Sequence, residues 1–238
     1  MDPLGIVVFG IVAALFLFGA VFAVPKAKER MAELEKRQLD IAGLARAAGY
    51  RFEKNEKGDI DWVMSNGDWQ LEYDSDRSSE SSSPCLRFKS TRKVPKDRQF
   101  IVLSDFSHKS LTNPTARKLL GGFCKTLDRY GIKGSNFPID DLLALIDRGN
   151  IHLLTHTNRE ALKVAAYSAK AAADIKNGDV VGHVAALFRQ ESTTVQEALP
   201  RILALETGVE VKSYVSHPTS DQVKNILAAG ESILRYAA

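Results

Sequence analysis

The chain has 238 residues and carries 32 Lys and Arg against 29 Asp and Glu, a formal net charge of +3. That balance argues against nucleic-acid binding as a main task, which needs a concentrated basic face. Cys85 and Cys124 are the two cysteines; they make no disulfide framework, and each is expected as a small buried apolar side chain.

The first element is the run from Leu4 to Val24, LGIVVFGIVAALFLFGAVFAV, which holds no charged residue. As a helix it would be roughly 31 Å long, the thickness of the hydrocarbon core of a bilayer. Residues 1–25 are therefore expected to form a single transmembrane anchor, with the lipid bilayer as the first partner. No Lys or Arg precedes the run, whereas Lys26, Lys28, Arg30, Lys36 and Arg37 follow it. This asymmetry predicts an N-terminus outside and a cytoplasmic C-terminal domain. The alternative is export with signal cleavage near Ala23, since Val21-Phe22-Ala23 has small residues at suitable places. A charged leader is missing, however, and the apolar run exceeds the usual stretch of about 7 to 15 residues. Gly10/Ala14 and Gly19/Ala23 are small pairs four apart that could bring two such helices together as a homodimer. Ordinary membrane-helix composition accounts for them equally.

Residues 26–49 read as a juxtamembrane helix. Met31, Leu34, Gln38, Ile41, Leu44, Ala45 and Ala48 recur at three- and four-residue spacings, which makes one apolar stripe. The acidic residues among the basic ones favour packing on the domain over lying on anionic lipid, and Gly49 suits the C-cap. The soluble domain, 50–238, is expected to be α+β, strand-rich over 50–105 and helix-rich over 114–238. Tyr50 to Glu53 alternates. Asp59 to Met64 and Asp68 to Tyr73 flank Ser65-Asn66-Gly67, a hairpin signal. Asp74 to Ser83 is too polar to pack and reads as a solvated loop. Cys85 to Lys89 and Gln99 to Leu103 complete an antiparallel sheet of four or five strands.

In the second half, Pro114 opens a helix through Tyr130, and Pro138 opens a shorter one ending near Gly149. Ile151 to Thr155 reads as a strand. Thr157-Asn158-Arg159-Glu160 has the form of a capping box starting an Ala-rich helix through Lys176, stopped by Asn177-Gly178. Val180 to Gln190 reads as helix. Arg201 to Glu206 and Val209 to Val215 flank Thr207-Gly208 as a second hairpin, and Thr219 or Ser220 caps a last helix to about Tyr236.

The chemistry-bearing patterns are sparse. His152 and His156 stand four apart, as in a zinc-binding helix, but no Glu lies between them and no third ligand follows at a telling spacing. Asp74-Ser75-Asp76 follows a strand and has the form of a metal-binding D-x-D, a pattern that ordinary turn composition also produces. Gly121-Gly122-Phe123-Cys124-Lys125-Thr126 lacks the Gly directly before Lys that a phosphate loop needs. Cys124 has no paired base that would make it a nucleophile. No catalytic, cofactor-binding or metal residue is therefore assigned, and no cofactor is implied. The expectation is a membrane-anchored binding or accessory module with a protein partner or a second copy. The alternatives are a membrane-bound enzyme whose site is assembled from remote residues, and a small subunit of a membrane complex.

Overall fold

The computed structural model describes residues 28–55, 60–75, 84–119, 139–156, 161–189 and 201–238. In chain order these form helix α1 (28–47), strands β1 (Arg51–Lys54), β2 (Trp62–Ser65), β3 (Gln70–Asp74), β4 (Cys85–Ser90) and β5 (Phe100–Ser104). Helices α2 (Asp105–Thr112), α3 (114–119) and α4 (Ile139–Asp147) follow, then strands β6 (Ile151–His156) and β7 (Ala161–Ala166). The chain ends with α5 (Ala169–Asn177), α6 (Asp179–Arg189), β8 (Ile202–Leu205), β9 (Gly208–Tyr214) and α7 (Ser220–Ala237). The strands make one sheet in the order β1-β2-β3-β4-β9-β8-β5-β7-β6, and every neighbouring pair is antiparallel.

Turn chemistry sets the two hairpins predicted from sequence. In β2–β3 the Asn66 Oδ1 accepts the N–H groups of Asp68 and Trp69 at 3.0 and 3.2 Å, and Gly67 takes φ 95°. In β8–β9, Gly208 has φ 134°, and a Cβ there would lie 2.2 Å from the Ser90 carbonyl oxygen. Only glycine satisfies both the dihedral and the close approach.

Alternation along each strand divides the core into two clusters on opposite faces. The first face carries Trp62, Met64, Leu71, Leu86, Phe88, Phe100, Val102, Val164, Ile202 and Val211. Buried residues of α5, α6, α7 and the second half of α1 join them, among them Ile175, Val184, Ile226 and Ile41. Helix α7 starts with a capping box between Thr219 and Gln222, and it passes so close to the sheet that a Cβ on Gly230 would meet the Phe88 ring at 2.5 Å. The second face carries Ile101, Leu103, Ala165, Leu203 and Leu205, covered by Leu111 of α2 and Leu142, Leu145 and Ile146 of α4.

Helix α1 packs on the domain from Leu34 onward, and its first turns stand clear. Ile41 and Ala45 are buried, whereas residues 28–33 are all exposed. It ends in a Schellman motif, with Tyr50 N–H donating to the Ala45 carbonyl (2.8 Å) and Gly49 N–H to that of Arg46 (3.1 Å). Arg37 Nη1 donates to the carbonyl of His217 at 3.1 Å, and the His217 N–H donates to the Tyr73 hydroxyl at 3.0 Å. His217 itself sits at φ 58°, so the corner before α7 is held from two sides.

Two sequence expectations change. The sheet has nine strands, not four or five, because the second half of the chain supplies four of them. Ala161–Ala166 is strand β7, not the start of an Ala-rich helix, which begins only at Ala169 under a Ser168 N-cap. Leu162, Val164 and Ala166 alternate with Lys163 and Ala165, and pairing on both edges with β5 and β6 outweighs the helix propensity of alanine. Among the described residues, no helix is long and apolar enough to cross a membrane. The run Leu4–Val24 lies outside the described residues, as do Asp76–Ser83, Thr157–Glu160, most of the helix expected to Tyr130, and Cys124 with its neighbours.

Candidate functional site

The histidine pair is taken apart by the strand that carries it. His152 is in register with Val164, but the pairing shifts between Leu153 and Thr155, so His156 is in register with Ala161. Val164 and Ala161 are three apart on β7 and face opposite sides of the sheet. His152 therefore stands on the first face and His156 on the second, both exposed, and the bulge rules out a shared ligand. Asp74 ends β3, in register with the buried Cys85, and Asp76 lies outside the described residues. The Ser75 N–H donates to Asp61 Oδ2 at 2.7 Å, a cross-strand contact that extends the β2–β3 pairing beyond its last residues. Among the described residues no group of three His, Cys, Asp or Glu side chains is placed to hold a metal.

A different set of titratable side chains does converge, on the second face where β5 runs into α2. Ser104 Oγ caps α2 by accepting the Ser107 N–H at 3.0 Å, which directs Asp105 across the end of β7. Asp105 receives Lys163 Nζ on one carboxylate oxygen (2.8 Å) and Lys109 Nζ on the other (2.7 Å). These two hydrogen bonds hold its carboxyl well below the usual range, at about 2. Lys163 Nζ also lies 3.3 Å from His108 Nδ1. An ammonium can only donate, so this contact makes Nδ1 the acceptor and leaves a neutral ring with its proton on Nε2. Burial, then the positive charge of Lys163, push the His108 pKa down, in accord with that tautomer. Phe106, 43% exposed, follows Asp105, and Leu153, 46% exposed, is in register with Lys163. The result is a paired charge cluster flanked by exposed apolar side chains.

The same face changes character across β3, β4 and β9. Gln70, Lys89 and Glu210 form one register row, and Glu72, Arg87 and Lys212 form the next. Ion pairs run diagonally between the rows: Lys89 to Glu72 at 2.8 Å, Arg87 to Glu210 at 3.8 Å, with Lys212 also 3.3 Å from Glu210. The Glu72 side chain is only 9% exposed, and Gln70 donates to its other oxygen at 3.1 Å. At the end of these rows the buried Arg201 lies over the Tyr214 ring, 4.6 Å from its centroid.

None of these groupings is legible along the chain. Asp105 and Lys163 are 58 positions apart and meet only because β5 pairs with β7; the one local trace is the i,i+4 spacing of Asp105 and Lys109 after a strand. Comparison with protein-family models, curated proteins and solved structures finds no match.

Proposed function

We propose that the chain is a single-pass membrane protein whose α+β domain is a non-enzymatic binding or accessory module at the cytoplasmic membrane surface. The observation that carries this reading is the asymmetric packing of α1. Its second half is built into the domain core through Ile41 and Ala45, while its exposed first turns lead back toward the apolar run Leu4–Val24. The exposed turns 28–33 would contribute about 9 Å to the spacing between the domain and a bilayer. The electrostatics support a binding role over catalysis. Asp105 is kept ionised by two lysines, the opposite of a carboxyl raised for proton transfer near neutral pH. Its flanking Phe106 and Leu153 supply the apolar contact area a protein partner uses.

Membrane fractionation tests the anchor. The full chain is expected in the fraction resistant to alkaline extraction, and deletion of residues 4–24 is expected to release a folded domain. Intact mass of the mature chain decides between a retained anchor and cleavage near Ala23. Purification in mild detergent tests the partner: a second protein or a dimer is expected. Recovery of the chain alone and monomeric would remove the partner reading and favour the membrane-bound enzyme.

A further inference from the structure

A cleft of about 440 Å³ lies between the 3-10 turn Lys96–Arg98, the first turns of α5 and the end of α7. That volume is within the range of about 300 to 1,000 Å³ typical of small-molecule sites. Its walls include Asp97, Arg98, Ser168, Lys170, Asp174 and Tyr236. Two features separate it from the ion-paired sheet face. First, it holds charges of both signs that do not neutralise one another: none of Asp97, Lys170 and Asp174 forms an ion pair with a described residue, although Lys170 and Asp174 stand one turn apart on α5. Second, its floor is fixed. Arg98 Nη1 donates to the Tyr236 carbonyl at 2.8 Å, and the Tyr236 ring packs edge-on against the buried Phe100 at 5.7 Å. The Tyr236 phenol has its pKa pushed up to about 12, by burial and then by the charge of Asp174, so it stays a neutral donor. Ser168 caps α5 by accepting the Ala171 N–H at 3.1 Å, which leaves the N–H groups before it directed out of the helix end beside Lys170 and Arg98.

We infer that this cleft binds a small zwitterion of the amino-acid class, with its carboxylate toward Lys170, Arg98 and the start of α5 and its ammonium toward Asp97 and Asp174. A simple anion would leave the two carboxylates facing it, and a simple cation would face the lysine and arginine; a ligand carrying both charges complements both sets. The inference does not rest on the anchor, since every wall belongs to the domain.

Titration calorimetry on the full chain in detergent micelles tests it, with L-leucine and the dipeptide Gly-Leu as zwitterions, and acetate, methylammonium and inorganic phosphate as single-charge probes. At least one zwitterion is expected to saturate with a Kd at or below about 1 mM, with the single-charge probes at least about tenfold weaker. Whichever zwitterion is tighter assigns a free amino acid or a peptide terminus as the source. Lys170→Gln and Asp174→Asn, both at exposed positions, are each expected to weaken binding by about tenfold while leaving the circular dichroism spectrum unchanged. The inference is overturned if neither zwitterion saturates, if acetate or phosphate binds as tightly, or if both variants bind like the parent.

Discussion

Over β8, β5 and β7 the second face of the sheet carries Leu203, Leu205, Ile101, Leu103 and Ala165 beneath α2 and α4, whereas over β3, β4 and β9 it carries Glu72, Arg87, Lys89, Glu210 and Lys212. The boundary falls between β8 and β9, where buried Leu203 is in register with half-buried Glu210. Both halves share one ladder of backbone hydrogen bonds, so what differs is only how the side chains are kept from facing water at a loss. On the apolar half each buried Leu contributes about 2 kcal/mol by leaving water. On the charged half the side chains satisfy one another, Glu72 nearly buried and its neighbours partly exposed, for well under about 1 kcal/mol per exposed pair. The first arrangement supplies stability. The second supplies a patterned surface that can be altered without unfolding the sheet.

The sharpest way to break that contrast is to open the apolar half. Leu142→Ala on α4 removes a fully buried side chain and is expected to cost about 3 kcal/mol in urea unfolding, from lost transfer energy plus the cavity left behind. On the charged half the largest effect belongs to Lys89→Ala. It strips the nearly buried Glu72 carboxylate of its cation, leaving Gln70 as its side-chain donor. Because Lys89 is 40% exposed, water replaces much of the bond, and the expected cost is about 1 kcal/mol. A loss as large as that of Leu142→Ala would mean that the charged half is structural after all. A double-mutant cycle on Arg87→Ala and Glu210→Ala, 3.8 Å apart at half-exposed positions, is expected to return a coupling below about 0.5 kcal/mol.

The smallest expected effect concerns Asp105, at the helical edge of the apolar half. Its folded pKa of about 2 lies below the value of about 3.9 of an unfolded aspartate. The ionised form is thus favoured in the folded state; its stabilisation is present above about pH 4 and is lost as pH falls through about 2. Asp105→Asn should flatten the stability profile between those values by lowering the pH 7 unfolding midpoint slightly, while the midpoint at pH 2 stays that of the parent. A carboxyl titration followed by NMR with a midpoint near 4 would show that the two lysines do not hold the group.

Local signals carried over into the structure wherever the chain's neighbours decide the conformation. Asn66-Gly67 and Gly208 set their turns, Gly49 terminates α1, and Thr219 and Gln222 start α7. The stripe Leu34, Ile41, Ala45 identified the packed side of α1. Tertiary pairing overrode the local signal at Ala161–Ala166. Alanine-rich sequence with a capping pattern before it favours helix, yet a strand flanked on both edges gains a full set of hydrogen bonds there. A bulge, invisible in the spacing of His152 and His156, sends the two rings to opposite faces.

By itself, then, the sequence determined the α+β class, the two hairpins, the end of α1 and the start of α7, because these follow from dihedral preference, capping and alternation within a few residues. Only the tertiary structure decided which strands lie side by side, and with that the nine-strand order, the Asp105–Lys163–His108 cluster and the cleft between α5 and α7. Each joins residues tens of positions apart, and no periodicity along a chain records a contact of that range.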